Sequence, residues 1–176
     1  MNPNQAMRSS FITAKNSESA PMPEYEKYYL HPCGLFMDKR PHQVTTILGT
    51  CVAVCLWDQQ LKIGGINHYM LPLWNGEGLA SPKYGNIAIE KLLHKMEHAG
   101  SQRKNIVAKI FGGKEENNPN GNNYFQIGER NAEIALGILA EEKIKIIAQS
   151  LGGFSGRKLQ FFTDTGEVYM NFLKAG

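Results

Sequence analysis

Hydrophobic and polar positions change period several times along this chain, and each change marks an element. From Val44 to Trp57 the run VTTILGTCVAVCLW is dense in β-branched and apolar residues and is interrupted by Gly49. It reads as a buried strand with a bend. Asp58-Gln59-Gln60 is a polar break, and Lys62 to Leu71 (KIGGINHYML) reads as a second strand, antiparallel to the first in a hairpin. Beyond the Gly-rich loop WNGEGLASPKYG, residues Ile89, Leu92, Leu93 and Met96 recur at helical spacing opposite Glu90, Lys91, His94 and Lys95. Gly100 stands where a C-terminal cap belongs. Asn105 to Phe111 reads as a strand, Gly128 to Glu142 as a helix with Ile134, Ala135, Ile138 and Leu139 buried, and Ile144 to Gln149 as a strand. Arg157–Phe162 and Glu167–Leu173 alternate around Thr163-Asp164-Thr165-Gly166, a closing hairpin. The expected order is β-β-α-β-α-β-β-β: an α+β fold in which a mixed sheet, or a pair of sheets, carries two covering helices.

Residues 1–25 are rich in Asn, Ser, Ala and Pro without period and read as a mobile extension. The aromatic segment EYEKYYLHPCGLFMDKRPHQ is expected to dock on a single domain spanning 26–176. The chain's 176 residues suffice for one real core. Its three cysteines form no disulfide scaffold, which favours a reducing compartment. No stretch reaches the roughly 18 apolar residues of a membrane span, and the N-terminus lacks a secretory h-region. A cytoplasmic protein without membrane insertion is expected. The net charge of +3 comes with Lys and Arg scattered among acids, so nucleic-acid binding gains no support.

Candidate chemistry concentrates in the first hairpin. A turn symmetric about Gln59-Gln60 pairs residues whose numbers sum to 119, as Trp57 with Lys62, and so sets Cys51 opposite His68. Cross-strand partners lie roughly 4.5–5.5 Å apart at Cβ, within reach of a thiol–imidazole nucleophilic pair. A one-residue slip would point the two apart. Gly49 and Thr50 precede the thiol, where a glycine permits a tight bend and leaves backbone N–H groups to face an oxyanion. Cys55 lies roughly 13 Å along the same strand, pairs with Gly64 in this register, and reads as core. Thr45 reaches the pair only if the chain folds back near Gly49, and on spacing alone it stands level with Thr46 and Thr50 as an orienting group. Asn67 and Tyr69, beside His68, are candidates for a substrate groove, with Trp74 and Tyr84. Histidines 31, 42, 94 and 98 lack convincing ligand spacing, and no phosphate or dinucleotide fingerprint is complete. Neither a metal nor a cofactor is expected.

The blocks LGTCVAVCLWD, GGINHYMLP, KYGNIAIEKLL, AKIFGG, IGERN and the late LGG with RKLQFF, in that order from Thr45 to Leu173, resemble the CheD family of chemoreceptor glutamine deamidases. The resemblance implies Cys51 as nucleophile, His68 as base and Thr45 as the orienting third residue. It also implies a fold like the catalytic domain of deamidating toxins, a β-sandwich core flanked by helices. Methyl-accepting chemoreceptors are the implied protein substrates, a CheC-type phosphatase the implied partner, and γ-methyl-ester hydrolysis an associated activity. An adaptor that binds the phosphatase and receptors with little catalysis is the alternative. The chain departs from the family in having Thr50 where Ser is usual, in its Asn-rich loop 114–124, and in its N-terminal extension.

Overall fold

The burial pattern of the Val44–Trp57 run changes at Gly49. The computed structural model, which describes residues 21, 23–117 and 126–174, breaks it there into two strands of different sheets. In chain order the elements are β1 (Glu26–Tyr29), β2 (Leu35–Asp38), β3 (His42–Leu48), β4 (Val52–Asp58), β5 (Ile63–Asn67), α1 (Gly85–His98), β6 (Ile106–Gly112), α2 (Ile127–Glu141), β7 (Lys145–Leu151), β8 (Arg157–Phe162) and β9 (Val168–Phe172). A 3₁₀ turn, Arg103–Asn105, leads into β6. The expected single bent strand is thus corrected to β3 and β4.

The two strands differ because their surroundings differ. In β3, Val44, Thr46 and Leu48 are buried, whereas Gln43, Thr45 and Ile47 face outward, the alternation of a half-buried strand. In β4, Val52 through Leu56 are all buried, because this strand has packing on both faces. Val52, Val54 and Leu56 meet the helices, while Ala53 and Cys55 meet the other sheet. Two mixed sheets result, ordered β1-β3-β8-β9 and β2-β5-β4-β6-β7, with β1–β3 and β6–β7 parallel. One core lies between the sheets, where Val44, Leu48, Leu159 and Phe161 face Ala53, Cys55, Ile66 and Phe111. The other lies beneath α1 and α2, which both cover the five-stranded sheet. The α+β sandwich with two helices is therefore present, as three layers.

Strands β1 and β2 occupy the segment expected only to dock. Each has four residues of uniform exposure, so neither shows the period-2 signal that exposes a strand. α1 buries the expected stripe, and Gly100 takes φ +105 just past its end. α2 buries Gly128, Asn131, Ala132, Ala135 and Leu139, so its inner line is rotated from the expected one and Ile134 is only half-buried. The β8–β9 hairpin forms as expected, with Phe161 paired to Val168. Residues 1–20, assigned above to a mobile extension, lie outside the described residues.

The β4–β5 turn sets the register that matters for chemistry. Asp58 pairs with Ile63, leaving four loop residues rather than two. The buried Asp58 carboxylate explains the longer loop, since its Oδ1 accepts the N–H groups of Gln60 and Leu61 at 2.8 and 2.9 Å. Paired residues therefore sum to 121, and Cys55 faces Ile66 rather than Gly64. The shift is two residues, so every side chain keeps its expected face.

Candidate active site

The Val52–Tyr69 bridge continues the hairpin register, so Cys51 stands opposite Met70 and His68 opposite Ala53. The direct Cys51–His68 pairing is corrected to a diagonal one on the same face. Diagonal positions lie roughly 7–8 Å apart, somewhat less at Cβ, within reach of long side chains. Both side chains enter the inter-sheet space: Cys51 packs against the Ala53–Cys55–Phe111 cluster, and the His68 ring reaches Thr46 of the opposite sheet. β5 leaves the ladder at this point. The Asn67 side chain accepts the Val54 N–H at 2.8 Å, while His68 N–H bonds Gly34 O at 3.1 Å and Cys33 N–H bonds His68 O at 2.8 Å.

The hydrogen bonds around His68 fix its tautomer. Thr46 Oγ1 lies 2.8 Å from Leu30 O and 2.7 Å from His68 Nδ1. A carbonyl can only accept, and a hydroxyl has one proton, so Thr46 donates to Leu30 and must accept from Nδ1–H. The unprotonated nitrogen is then Nε2, which is buried and meets no partner among the described residues. A neutral imidazole with a free Nε2 has the lone pair that a general base needs.

Burial governs the charges. It pushes the His68 imidazole down from its ordinary 6.5 to about 4. Burial also raises the Cys51 thiol, with a smaller contribution from the neighbouring Cys33 and a partial offset from the backbone N–H of Cys51 itself. The resting groups are therefore a thiol and a neutral imidazole. Cys33 Sγ lies 3.4 Å from Met70 Sδ, so both residues flank the half-buried Cys51. Cys33 holds φ +68, third in the turn closed by Gly34 N–H on His31 O.

The turn before Cys51 is pinned carbonyl by carbonyl. Lys114 N–H binds Gly49 O at 3.0 Å, Asn131 Nδ2 binds Thr50 O at 3.0 Å, and Gly113 N–H binds Cys51 O at 3.0 Å. Gly49 was expected to supply conformational freedom, yet its φ is not positive and nothing lies within 4 Å of a Cβ built there. The glycine requirement falls on Gly112, across the sheet at φ +115, where a Cβ would run into Cys51 O.

The model of the family described as "CheD chemotactic sensory transduction" matches residues 70–172. A protein of Sulfurimonas denitrificans named "Probable chemoreceptor glutamine deamidase CheD" is 52% identical over 151 residues, 86% of this chain and 97% of its own. One of the same name from Trichlorobacter lovleyi is 49% identical over 82% of this chain and 89% of its own. Across a wider distance, one from Archaeoglobus fulgidus is 39% identical over 73% and 82%. The chain belongs to the CheD family.

Of the residues that resemblance to CheD nominates, Cys51 and His68 share one inter-sheet face, and Thr45 does not join them through its side chain. Thr45 has the opposite parity to Thr46 and acts here by its backbone: its carbonyl accepts Leu30 N–H at 2.9 Å, which steadies the carbonyl that receives the Thr46 hydroxyl. The clue to Thr46 was present in the alternation, since it shares parity with Val44 and Leu48. Asn67 and Tyr69 are wholly buried and so do not line an open groove; Tyr69 packs beneath α2, and its hydroxyl donates to Asn131 O. Asn131 is the site neighbour that sequence reasoning passed over. Its signal was a polar residue inside the buried stripe of a helix.

Two measurable consequences arise here. Thr46→Val removes the acceptor of Nδ1–H, and a fall in kcat of about ten- to a hundredfold is expected, the range for losing the partner that fixes the tautomer and ring orientation of a metal-ligating histidine. Thr45→Val should change kcat less than about twofold, and steady-state assays of both variants compare them directly. The second consequence concerns stability. Between pH 6.5 and 4 the unfolded chain protonates His68 and the folded one does not. The contribution is complete above 6.5 and is lost as pH falls through about 4, up to about 3 kcal/mol. Urea titrations across that window should show a shallower pH dependence for His68→Gln than for the natural protein.

Proposed function

We propose that the chain hydrolyses the side-chain amide of glutamines on methyl-accepting chemoreceptors, giving glutamate and ammonia. The observation that carries this reading is the free, buried Nε2 of a tautomer-locked His68 on the same inter-sheet face as the Cys51 thiol. The names of the relatives, chemoreceptor glutamine deamidases, supply the substrate class.

In this mechanism His68 Nε2 takes the thiol proton as sulfur attacks the carboxamide carbon. The carbonyl π electrons move to oxygen, and the tetrahedral oxyanion meets the Cys51 backbone N–H. Imidazolium then protonates the departing nitrogen, ammonia leaves, and a thioester remains. Neutral His68 next removes a proton from water, whose oxygen attacks the thioester carbonyl. Glutamate departs and the thiol recovers its proton. Thr46, through Nδ1–H, keeps Nε2 as the accepting nitrogen throughout. The product carboxylate adds one negative charge to the receptor and can serve as a methyl acceptor.

The test is ammonia release from a purified cytoplasmic receptor fragment carrying its glutamines. Release is expected with the natural fragment and absent when those glutamines are replaced by glutamate. Equal release from both would reject receptor glutamine as the substrate.

A further inference from the structure

Asn131 sits in the middle of the buried line of α2, fully enclosed, and spends both its N–H donors on the chain around the nucleophile. Nδ2 donates to Thr50 O at 3.0 Å and to Met70 O at 2.9 Å. Thr50 is the residue before Cys51, and Met70 is the one opposite it in the hairpin register. Because both contacts are carbonyl oxygens, the group facing them must be the amide nitrogen. Its Oδ1 is buried with no partner among the described residues. Leaving such an acceptor unsatisfied costs about 1–3 kcal/mol. The position thus tolerates a penalty to keep two neutral N–H donors on one nitrogen, which only Asn or Gln provides.

The consequence follows from peptide planarity. In a trans peptide the carbonyl and the next N–H point in opposite directions. Drawing Thr50 O toward α2 therefore turns the Cys51 N–H away from the helix layer, toward the face on which the Cys51 sulfur lies. The same N–H reaches no protein carbonyl among the described residues and lies beside its own sulfur. Lys114 and Gly113 hold the carbonyls on either side of Thr50, so only the Thr50–Cys51 peptide depends on a side chain for its orientation.

We propose that Asn131 is a positioning residue that aims the Cys51 backbone N–H at the oxyanion formed when Cys51 attacks a carbonyl. The inference rests on Cys51 as the nucleophile of the function proposed above, and its test needs no receptor. Alkylation of Cys51 by iodoacetamide occurs at a saturated carbon and forms no oxyanion. Acylation by p-nitrophenyl acetate passes through one: sulfur bonds to the acetyl carbon, p-nitrophenolate leaves, and His68 takes the thiol proton. Both rates are measured on the full chain, with the Cys51→Ala background subtracted. For Asn131→Ala, and for Asn131→Leu, which preserves volume, acylation should fall about ten- to a hundredfold while alkylation stays within about threefold. Parallel loss of both rates, no loss of either, or loss of the fold in both variants would overturn the proposal. If the natural protein acylates in an Asn131-dependent way but releases no ammonia from receptors, the deamidase reading fails and this one stands.

Discussion

Cys51→Ser is expected to lower ammonia release from a receptor fragment by at least about 10³-fold, and His68→Gln by about 10²–10⁴-fold. The thiol is half-buried and is not held as a preformed thiolate, so in the proposed mechanism it depends on Nε2 to remove its proton. A serine hydroxyl is far less acidic than a thiol, so the same base cannot compensate. Neither change should unfold the protein: serine is close to isosteric, and glutamine can still donate to Thr46. Because the two residues act on one proton, the double variant should be little worse than Cys51→Ser alone. Multiplicative losses would mean that the two act independently, and would sink the thiol–imidazole pair. Steady-state rates of the three variants, with circular dichroism to confirm folding, decide the matter.

The second large effect is structural and reaches the same thiol from behind. Gly112 pairs with Val52 at the end of β6 and holds φ +115, a conformation that strains any L side chain. A Cβ there would overlap the Cys51 carbonyl oxygen and approach Val52 Cα to 3.1 Å, both backbone atoms where the chain enters β4. Strain and displacement together predict a loss of about 3 kcal/mol or more for Gly112→Ala, or about 6–12 °C in Tm for a chain of this size. Gly49→Ala is the informative contrast. With no positive φ and open space around the built Cβ, it should cost less than about 1 kcal/mol. Thermal denaturation of both variants tests this, and equal destabilisation would contradict the account of the turn.

The contrast between these glycines shows where a sequence reading stops. A glycine two residues before Cys51 suggests a bend, but the strained glycine, Gly112, is remote in the chain and becomes adjacent only through the Val52–Gly112 pairing. Local patterns did carry most of the architecture, because both helices, the strands β4 to β9 and the closing hairpin rest on periodicity or turn chemistry within short windows. Strands β1 and β2 escaped because edge strands of four residues, uniformly exposed in β1 and uniformly half-buried in β2, carry no alternation. The hairpin register missed by two residues because the buried Asp58 carboxylate organises a four-residue loop, a tertiary fact that Gln59-Gln60 does not reveal. The shared face of Cys51 and His68 survived that error only because two is the period of a strand.

Thr46 and Asn131 mark a different boundary. Thr46 was separable from Thr45 by parity once the run was divided at Gly49, since Val44 and Leu48 point inward with it. Its bond to His68 joins β3 of one sheet to the end of β5 in the other, and no local rule places those strands face to face. Asn131 likewise bridges α2 to two segments distant in sequence. Cys51 and His68 stood out by chemical type, whereas the partners of Thr46 and Asn131 became visible only with the fold.

Peptide mass spectrometry of a chemoreceptor cytoplasmic fragment, incubated with the natural chain and in parallel with Cys51→Ala, tests the central claim most directly. Conversion of a glutamine amide to an acid adds about one mass unit. Specific receptor glutamines should gain that mass with the natural chain and remain unchanged with Cys51→Ala; the same gain from both proteins, or no gain from either, would contradict the assignment of Cys51 as the nucleophile of a receptor deamidase.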